Sequence, residues 1–167
     1  MQIIRKAVFT AIIGFVFSFT AGAELSVTDI ENNKNGMSVT FNASLKISGI
    51  SLSDGKIIFP VYANKGKVYR QFSVIKRDAA LSLYNSLKSN IVSKNSSAIS
   101  FKINKFKINN KESSIKAFAS VIFEDVLETE CRVMDGRYGL WVAWPSSKNG
   151  KNIQKQLEFI DKTLKIN

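Results

Sequence analysis

The chain has 167 residues, of which 12 are Phe, and a formal net charge of +11 at neutral pH. This length allows one or two small domains, and the aromatic content excludes a disordered tail. The chain has no His and one Cys, which excludes His-based catalysis, Cys–His dyads and the usual zinc sites. The sequence also lacks a glycine-rich phosphate loop and a recognisable carboxylate pair. We therefore expect a protein that is not an enzyme and has no cofactor and no metal.

The first 23 residues have the three parts of a secretory signal peptide. Arg5 and Lys6 precede an apolar run over residues 7–20, and Ala21-Gly22-Ala23 supplies a small-residue cleavage site. The apolar run is short for a membrane span, which needs about 20 residues. We predict cleavage between Ala23 and Glu24, export to the periplasm or the medium, and no transmembrane segment afterwards. The alternative is an N-terminal anchor that is not cleaved.

The mature chain stays basic after this cleavage. Loss of Arg5 and Lys6 leaves 22 basic and 13 acidic residues, a net charge of +9 (22 − 13). Such a charge attracts nucleic acid, acidic envelope polymers or anionic lipid headgroups. The competing interpretation is that the lysines serve only solubility.

Two similar segments 76 residues apart indicate that the mature chain is a tandem repeat, and each would be the first strand of its copy. Val27-Thr28-Asp29-Ile30 and Ile103-Asn104-Lys105-Phe106 each place two apolar residues three apart, so the alternation of a strand slips by one. Such a slip predicts a β-bulge or a bend. At the same offset, the alternating residues of 39–47 fall on those of 115–123, which predicts a long half-buried strand in each copy.

A hairpin is predicted next in each copy. Asp54-Gly55 and Asp135-Gly136 both supply the positive φ angles of a tight turn and both precede an apolar run. Pro145 cannot donate to a strand ladder, so the last strand of the second hairpin ends there or lies at an edge. Trp141 and Trp144 are three apart and face opposite sides, so one is predicted in the core and one at a surface or under a helix.

Helical spacing follows each hairpin. Ala80, Tyr84, Leu87 and Ile91 share one helical face in the first copy, after a short strand over residues 71–75. Ile153, Leu157, Ile160 and Leu164 do the same in the second copy, with Asn149 or Asn152 as the N-cap. These patterns predict an α+β fold of two tandem copies, residues 24–92 and 99–167, each a small twisted antiparallel sheet with a C-terminal helix. The alternative is one larger β-rich domain with chance self-similarity.

The segment from Cys131 to Lys148 carries a specific motif. Its Arg-Val-x-Asp-Gly-x-x-Gly-Leu-x-Val-Ala-x-Pro-Ser string closely resembles the signature of the stage V sporulation protein G (SpoVG, septation regulator) family. The resemblance extends over residues 101–164 and, more loosely, over 25–87. It implies a compact α+β unit that self-associates, a role in sporulation, septation or cell division, and nucleic-acid binding through basic residues after the Pro-Ser. Because each unit has only about 70 residues, a size at which cores are marginal, we expect the two copies to pack as a pseudo-dimer; a homodimer is the alternative.

The resemblance and the charge place the candidate polyanion-binding residues in two glycine-bearing loops. The second copy supplies Lys148, Lys151 and Lys155, and the first supplies Lys65, Lys67 and Arg70. A loop that opens a helix offers free amides and a positive dipole end to phosphate, which lysines reinforce. A solvated surface loop is the competing interpretation.

A second basic surface is expected on the first two strands of the second copy. Its lysines are Lys102, Lys105, Lys107, Lys111 and Lys116. Phe101, Phe106 and Phe118 lie between them and either stack bases or fill the core.

Two functions remain open. The first is a SpoVG-like protein that binds DNA, RNA or an acidic envelope polymer. The alternative is an exported envelope or division-associated module that contacts proteins and has no nucleic-acid role.

Overall fold

The computed structural model describes residues 24–94, 98–149 and 152–160. Over these residues the protein is an α+β structure dominated by antiparallel strands, with two five-stranded sheets, two separate hairpins and one helix. That helix is not long and apolar enough to cross a membrane. The predicted signal peptide, residues 1–23, lies outside the described residues.

The first half of the chain forms seven strands and the helix. These are β1 (Val27–Asn33), β2 (Gly36–Phe41), β3 (Leu45–Ser53), β4 (Lys56–Ile58), β5 (Val61–Asn64), β6 (Lys67–Arg70), β7 (Phe72–Val74) and α1 (Arg77–Lys88). The described part of the second half forms seven more strands. These are β8 (Phe101–Ile108), β9 (Ile115–Phe123), β10 (Leu127–Gly136), β11 (Gly139–Ala143), β12 (Ser146–Asn149), β13 (Asn152–Lys155) and β14 (Leu157–Phe159).

The predicted β-bulges are confirmed in both halves. The register of β1 on β2 shifts between Val27 and Asp29, and that of β8 on β9 shifts between Ile103 and Lys105. Thr28 and Asn104 are therefore the extra residues. Each lies inside the segment whose alternation slips, because an extra residue is what moves the apolar side chains out of phase.

The two long hairpins have matching turns, at a different offset from the predicted one. In the connection between β2 and β3, Asn42 and Ala43 have φ of 49° and 52°. In the connection between β9 and β10, Glu124 and Asp125 have φ of 49° and 54°. Paired positive φ angles are the mark of a tight I′ turn. The turns therefore match Phe41 with Phe123, an offset of 82 (123 − 41). The predicted offset of 76 is wrong for these strands, because any even shift preserves the alternation of a strand.

Each sheet contains a strand from the other half of the chain. The first sheet has the order β1-β2-β3-β14, with β4 paired to the far end of β3. The second has the order β11-β10-β9-β8, with β7 paired to β10. Thus β7 completes the sheet of the second half, and β14 completes the sheet of the first half.

The two exchanged strands make the same hydrogen bonds. The Ile75 N–H donates to the Val126 carbonyl at 2.8 Å, and the Ile160 N–H donates to the Ser44 carbonyl at 2.8 Å. A second pair of bonds also matches. The Glu130 N–H donates to the Gln71 carbonyl at 2.9 Å, and the Ser48 N–H donates to the Gln156 carbonyl at 3.0 Å. The exchange is therefore reciprocal in its backbone hydrogen bonds as well as in its strand order.

The core lies between the inner faces of the two sheets. Phe41, Leu45 and Ile47 from the first sheet, and Phe123 and Leu127 from the second, have no exposed surface. The exchanged strands add Phe72 and Leu157, and α1 adds Leu83 and Leu87. Trp144 lies 5.0 Å from Phe159 and 6.5 Å from Phe123 between ring centroids, whereas Trp141 is 52% exposed. This confirms that one tryptophan is core and the other is at the surface.

The predicted second helix is wrong over the described residues. Ile153 lies in β13 and Leu157 begins β14, with a bend at Gln156 between them. Because strand side chains alternate with a period of two, residues four apart share a face in a strand as well, so this apolar spacing does not require a helix. Asn149 and Asn152 are the last pair of the β12–β13 hairpin rather than N-cap residues. Leu164 lies outside the described residues.

One of the two Asp-Gly turns is also misplaced. Asp54 and Gly55 have φ of 49° and 73° and form the predicted turn between β3 and β4. In the second half, Asp135 pairs with Leu140 inside the ladder and Gly136 pairs with Gly139, so Arg137 and Tyr138 form the turn instead. The second glycine, with φ of 110° at Gly139, supports the longer hairpin.

Candidate polyanion-binding hairpins

Four of the six predicted site residues, Lys65, Lys67, Arg70 and Lys155, lie on two separate two-stranded hairpins. The backbone of a fifth, Lys148, lies on the second of these hairpins. In the first hairpin, β5 pairs with β6 from Val61–Arg70 to Asn64–Lys67. Lys65 and Gly66 form its tip with φ of 48° and 75°, the positive values that a two-residue turn requires. Lys65, Lys67 and Arg70 are all exposed, so their charges are available to a ligand.

The second hairpin repeats this register. Strand β12 pairs with β13 from Ser146–Lys155 to Asn149–Asn152. Lys155 is exposed and takes the register position that Arg70 has in the first hairpin. The backbone of Lys148 pairs with that of Ile153. Lys151 lies outside the described residues.

The fold brings the two hairpins together, since β5 lies against β12. The contact joins the hairpins through β5 and β12, whereas the exposed basic residues Arg70 and Lys155 lie on the other strand of each hairpin, β6 and β13. Each hairpin follows a proline, Pro60 or Pro145, which has no amide hydrogen and ends the preceding strand. This sequence feature positions both hairpins outside the main sheets.

The hairpins change the physical basis of the predicted site. A helix start would expose free amides and a positive dipole end to phosphate. In the β12–β13 hairpin the backbone groups instead pair across the two strands. The capacity of this surface to bind anions therefore depends on side-chain charge, which attracts a polyanion without reading its sequence.

Sequence reasoning missed two aromatic residues on the first hairpin. Tyr62 and Tyr69 form a cross-strand pair with ring centroids 6.0 Å apart, and Tyr69 is 46% exposed. Their register position puts them beside the Asn64–Lys67 pair. The sequence signal was present, because the two tyrosines are equally far from Lys65-Gly66, and residues equally far from a two-residue turn face each other.

The second predicted basic surface is partly neutralised. Lys102, Lys105 and Lys107 lie on one face of β8, opposite Ile122, Ser120 and Phe118 of β9. Lys102 forms an ion pair with Asp125, Lys105 lies 3.8 Å from Glu128, and Lys116 lies 3.4 Å from Asp135. The hydrogen bond and charge of Lys102 lower the pKa of the Asp125 carboxyl below its ordinary value. These neighbouring carboxylates reduce the attraction of this face for a polyanion.

The three phenylalanines of this region have different environments. Phe101 packs against Phe123 with ring centroids 6.2 Å apart, as a core residue does. Phe106 is 40% exposed at the free edge of the sheet, and Phe118 is 46% exposed. By register, Phe118 shares the face of Lys107 and Phe106 does not. Only Phe118 therefore lies among the lysines.

Groups capable of covalent or metal chemistry are sparse in the described part of the chain. Cys131 is buried, and desolvation raises the pKa of its thiol to about 11. It behaves as a small core residue, which is the more ordinary use of a free Cys in a strand. Within the described ranges, no three acidic or Cys side chains lie close enough together to hold a metal ion.

The chain was compared with family models, with curated proteins and with solved structures. None of the three comparisons finds a match. The functional assignment therefore rests on the residues and geometry described above.

Proposed function

We propose that this protein is a non-enzymatic, SpoVG-like binding protein that holds a polyanion, by family resemblance DNA or RNA, on the paired β5–β6 and β12–β13 hairpins. The observation that carries the proposal is the contact between β5 and β12, which joins two hairpins that each carry exposed basic residues. Long-range charge attraction of this kind binds phosphate backbones without base recognition. The net charge, +11 for the full sequence and +9 (22 − 13) after the predicted cleavage, has the appropriate sign.

The proposal includes a tandem pseudo-dimer. Its support is the reciprocal exchange, in which β7 pairs with β10 and β14 pairs with β3 in the same register: Val74 opposite Leu127, and Phe159 opposite Leu45. A related protein with a single copy would need two chains to make these pairings. Fusing the copies places both partners in one chain, which removes the concentration dependence of assembly.

The site is tested by a salt titration with DNA, RNA and an acidic polysaccharide. The test variant carries Lys148→Ala, Lys151→Ala and Lys155→Ala, and the matched control carries Lys34→Ala, Lys88→Ala and Lys94→Ala, which removes three exposed lysines elsewhere. We expect the test variant to reduce the slope of log affinity against log salt by about 2 to 3. The control should leave the slope within about one unit.

Each outcome has a distinct meaning. Equal slopes for the two variants would show that the hairpins are not the site. No binding by the wild-type protein at low salt would contradict polyanion binding altogether. That result would favour the second function, an exported envelope or division-associated module that contacts proteins. One observation supports that function: Tyr138 and Trp141 at the β10–β11 hairpin are 93% and 52% exposed, as interface aromatics are.

A further inference from the structure

Strands β1 and β8 occupy equivalent edges of the two sheets. Each is the last strand in its sheet, and among the described strands each is paired on one side only. The start of the β1 edge is covered, because the Ser93 N–H donates to the Val27 carbonyl at 2.7 Å. The unpaired backbone of a strand edge is a template for another strand, and natural proteins usually protect such edges.

The two edges carry opposite charges. Strand β1 presents Asp29 and Glu31, and strand β8 presents Lys105 and Lys107, all on the faces that point away from the core. Asp29 and Lys107 form no ion pair among the described residues, whereas Glu31 lies 2.7 Å from Lys46. A β8–β8 contact would place lysines against lysines, and a β1–β1 contact would place acids against acids. Like charges directly opposite destabilise a strand pair.

The β8 edge also exposes apolar side chains. Ile103, Phe106 and Ile108 are 47%, 40% and 52% exposed, although by register they lie on the face that forms the core further along the sheet. Ile30 is the corresponding half-buried apolar residue of β1. A strand added beside β8 would cover part of this apolar surface.

The backbone hydrogen-bond directions select one register. Asn109 donates to the Lys116 carbonyl at 2.8 Å, so by alternation the backbone groups of Lys107 face β9 and those of Phe106 face outward. Asn42 donates to the Ser26 carbonyl at 2.9 Å, and the bulge at Thr28 shifts the alternation of β1 by one residue, so the backbone groups of Ile30 face outward from β1.

We propose that β1 of one molecule pairs antiparallel with β8 of a second copy of this chain, with Ile30 opposite Phe106 of the second copy. This register puts Asp29 opposite Lys107 and Glu31 opposite Lys105. It matches backbone hydrogen bonds, apolar residues and charges together. The two contact surfaces differ, so the association is head-to-tail and generates a ring or an open filament rather than a closed two-fold dimer.

The test is sedimentation velocity on protein purified from cells that express the full sequence, over a range of protein and salt concentrations. We expect wild-type protein to form larger species as concentration rises and to lose them as salt rises. Asp29→Lys alone and Lys107→Asp alone should each weaken association by about 2- to 30-fold, because an attractive cross-strand pair becomes a repulsive one. Combining both substitutions in one chain should restore association, since the pair is then reversed.

The restored double variant separates the proposal from misfolding, because two structurally damaging changes would not cancel. A wild-type protein that stays monomeric at low salt and high concentration would overturn the proposal. So would single variants that associate like the wild type, or a double variant no better than either single one. The hairpin variants of the polyanion site should associate normally, which keeps this test independent of the proposed function.

Discussion

Phe159 of β14 lies opposite Leu45 of β3, although 114 residues (159 − 45) separate them in the chain. Val74 of β7 lies opposite Leu127 of β10 in the same way. Neither half of the chain therefore completes its own sheet. The two halves depend on each other through backbone pairing and through a shared core.

This dependence predicts how the separated halves behave. Residues 24–92 and 99–167 can be produced as separate chains. Each should lack cooperative thermal unfolding, because its sheet loses the strand that the other half supplies and an apolar face is exposed. Mixed in equal amounts, they should associate and regain a single transition. Circular dichroism during heating measures this. A fragment that unfolds cooperatively by itself would contradict the exchange.

Gly36 is predicted to be sensitive to any side chain. Its φ is +113°, and a Cβ there would lie 2.6 Å from the Ile50 carbonyl oxygen. Backbone cannot yield as the end of a flexible side chain can, so Gly36→Ala should lower the free energy of unfolding by about 1 to 3 kcal/mol. Gly66→Asn is the control, because the space at that turn is open and Asn tolerates positive φ. Equal stability of the two variants in urea would contradict this reading.

Glu128 links stability to acidic pH. A hydrogen bond from Asn104 at 2.8 Å, with smaller help from the Lys105 charge, lowers the pKa of Glu128 below its ordinary value of 4.5. A carboxyl whose pKa is lower when folded contributes stability above its unfolded pKa and loses it as pH falls through the folded pKa. The free energy of unfolding should therefore decrease below about pH 4.5. Glu128→Gln should make this decrease smaller; an unchanged pH profile would exclude Glu128 as a contributor.

Cys131 should resist modification in the folded protein. Its thiol is buried and its pKa is raised to about 11, so little thiolate exists at pH 8. A thiol reagent such as dithionitrobenzoate should react at the rate of unfolding and rapidly in guanidinium. Fast reaction under native conditions would show that the strand opens easily.

Local features were predictable where one sequence signal has one structural cause. The breaks in strand alternation around Thr28 and Asn104 predicted β-bulges, and Asp54-Gly55 predicted a turn. Both features depend only on neighbouring residues, because an extra residue forms a bulge and a positive φ forms a turn without help from distant parts of the chain. The helix over Ile153 and Leu157 was wrong because the alternation of strands also allows apolar residues four apart. The exchange was not predictable, since nothing in Leu157-Glu158-Phe159 specifies β3 as its neighbour.

The candidate site shows the same division between local and tertiary information. Its lysines were predicted from the glycine-bearing loops, and their scaffold was not. A short basic loop is compatible with either a helix start or a hairpin, and only the register of β12 on β13 decides between them. The proximity of the two hairpins depends on the tertiary fold, so single loops give no sign of it.

The tyrosine pair offers a way to identify the polyanion. Tyr62 and Tyr69 lie 6.0 Å apart on the same face of the β5–β6 hairpin as Lys67, and Tyr69 is exposed. Stacking of a base on an aromatic ring contributes about 1 to 3 kcal/mol and depends little on salt. A lysine or arginine contact to phosphate depends strongly on salt. The two contributions can therefore be separated on the same hairpin.

We predict that Tyr69→Ala weakens binding of single-stranded DNA or RNA at every salt concentration, by about 5- to 150-fold, without a change in the salt slope. Lys67→Ala, on the same face of the hairpin as Tyr69, should instead reduce that slope by about 0.7. Binding of duplex DNA and of an acidic polysaccharide should be nearly unaffected by Tyr69→Ala, because neither presents unstacked bases. Tyr138→Ala, at the exposed tip of the β10–β11 hairpin, is the matched control. If Tyr69→Ala weakens the polysaccharide as much as the single strand, the tyrosines support the hairpin rather than stack on bases, and the ligand is held by charge alone.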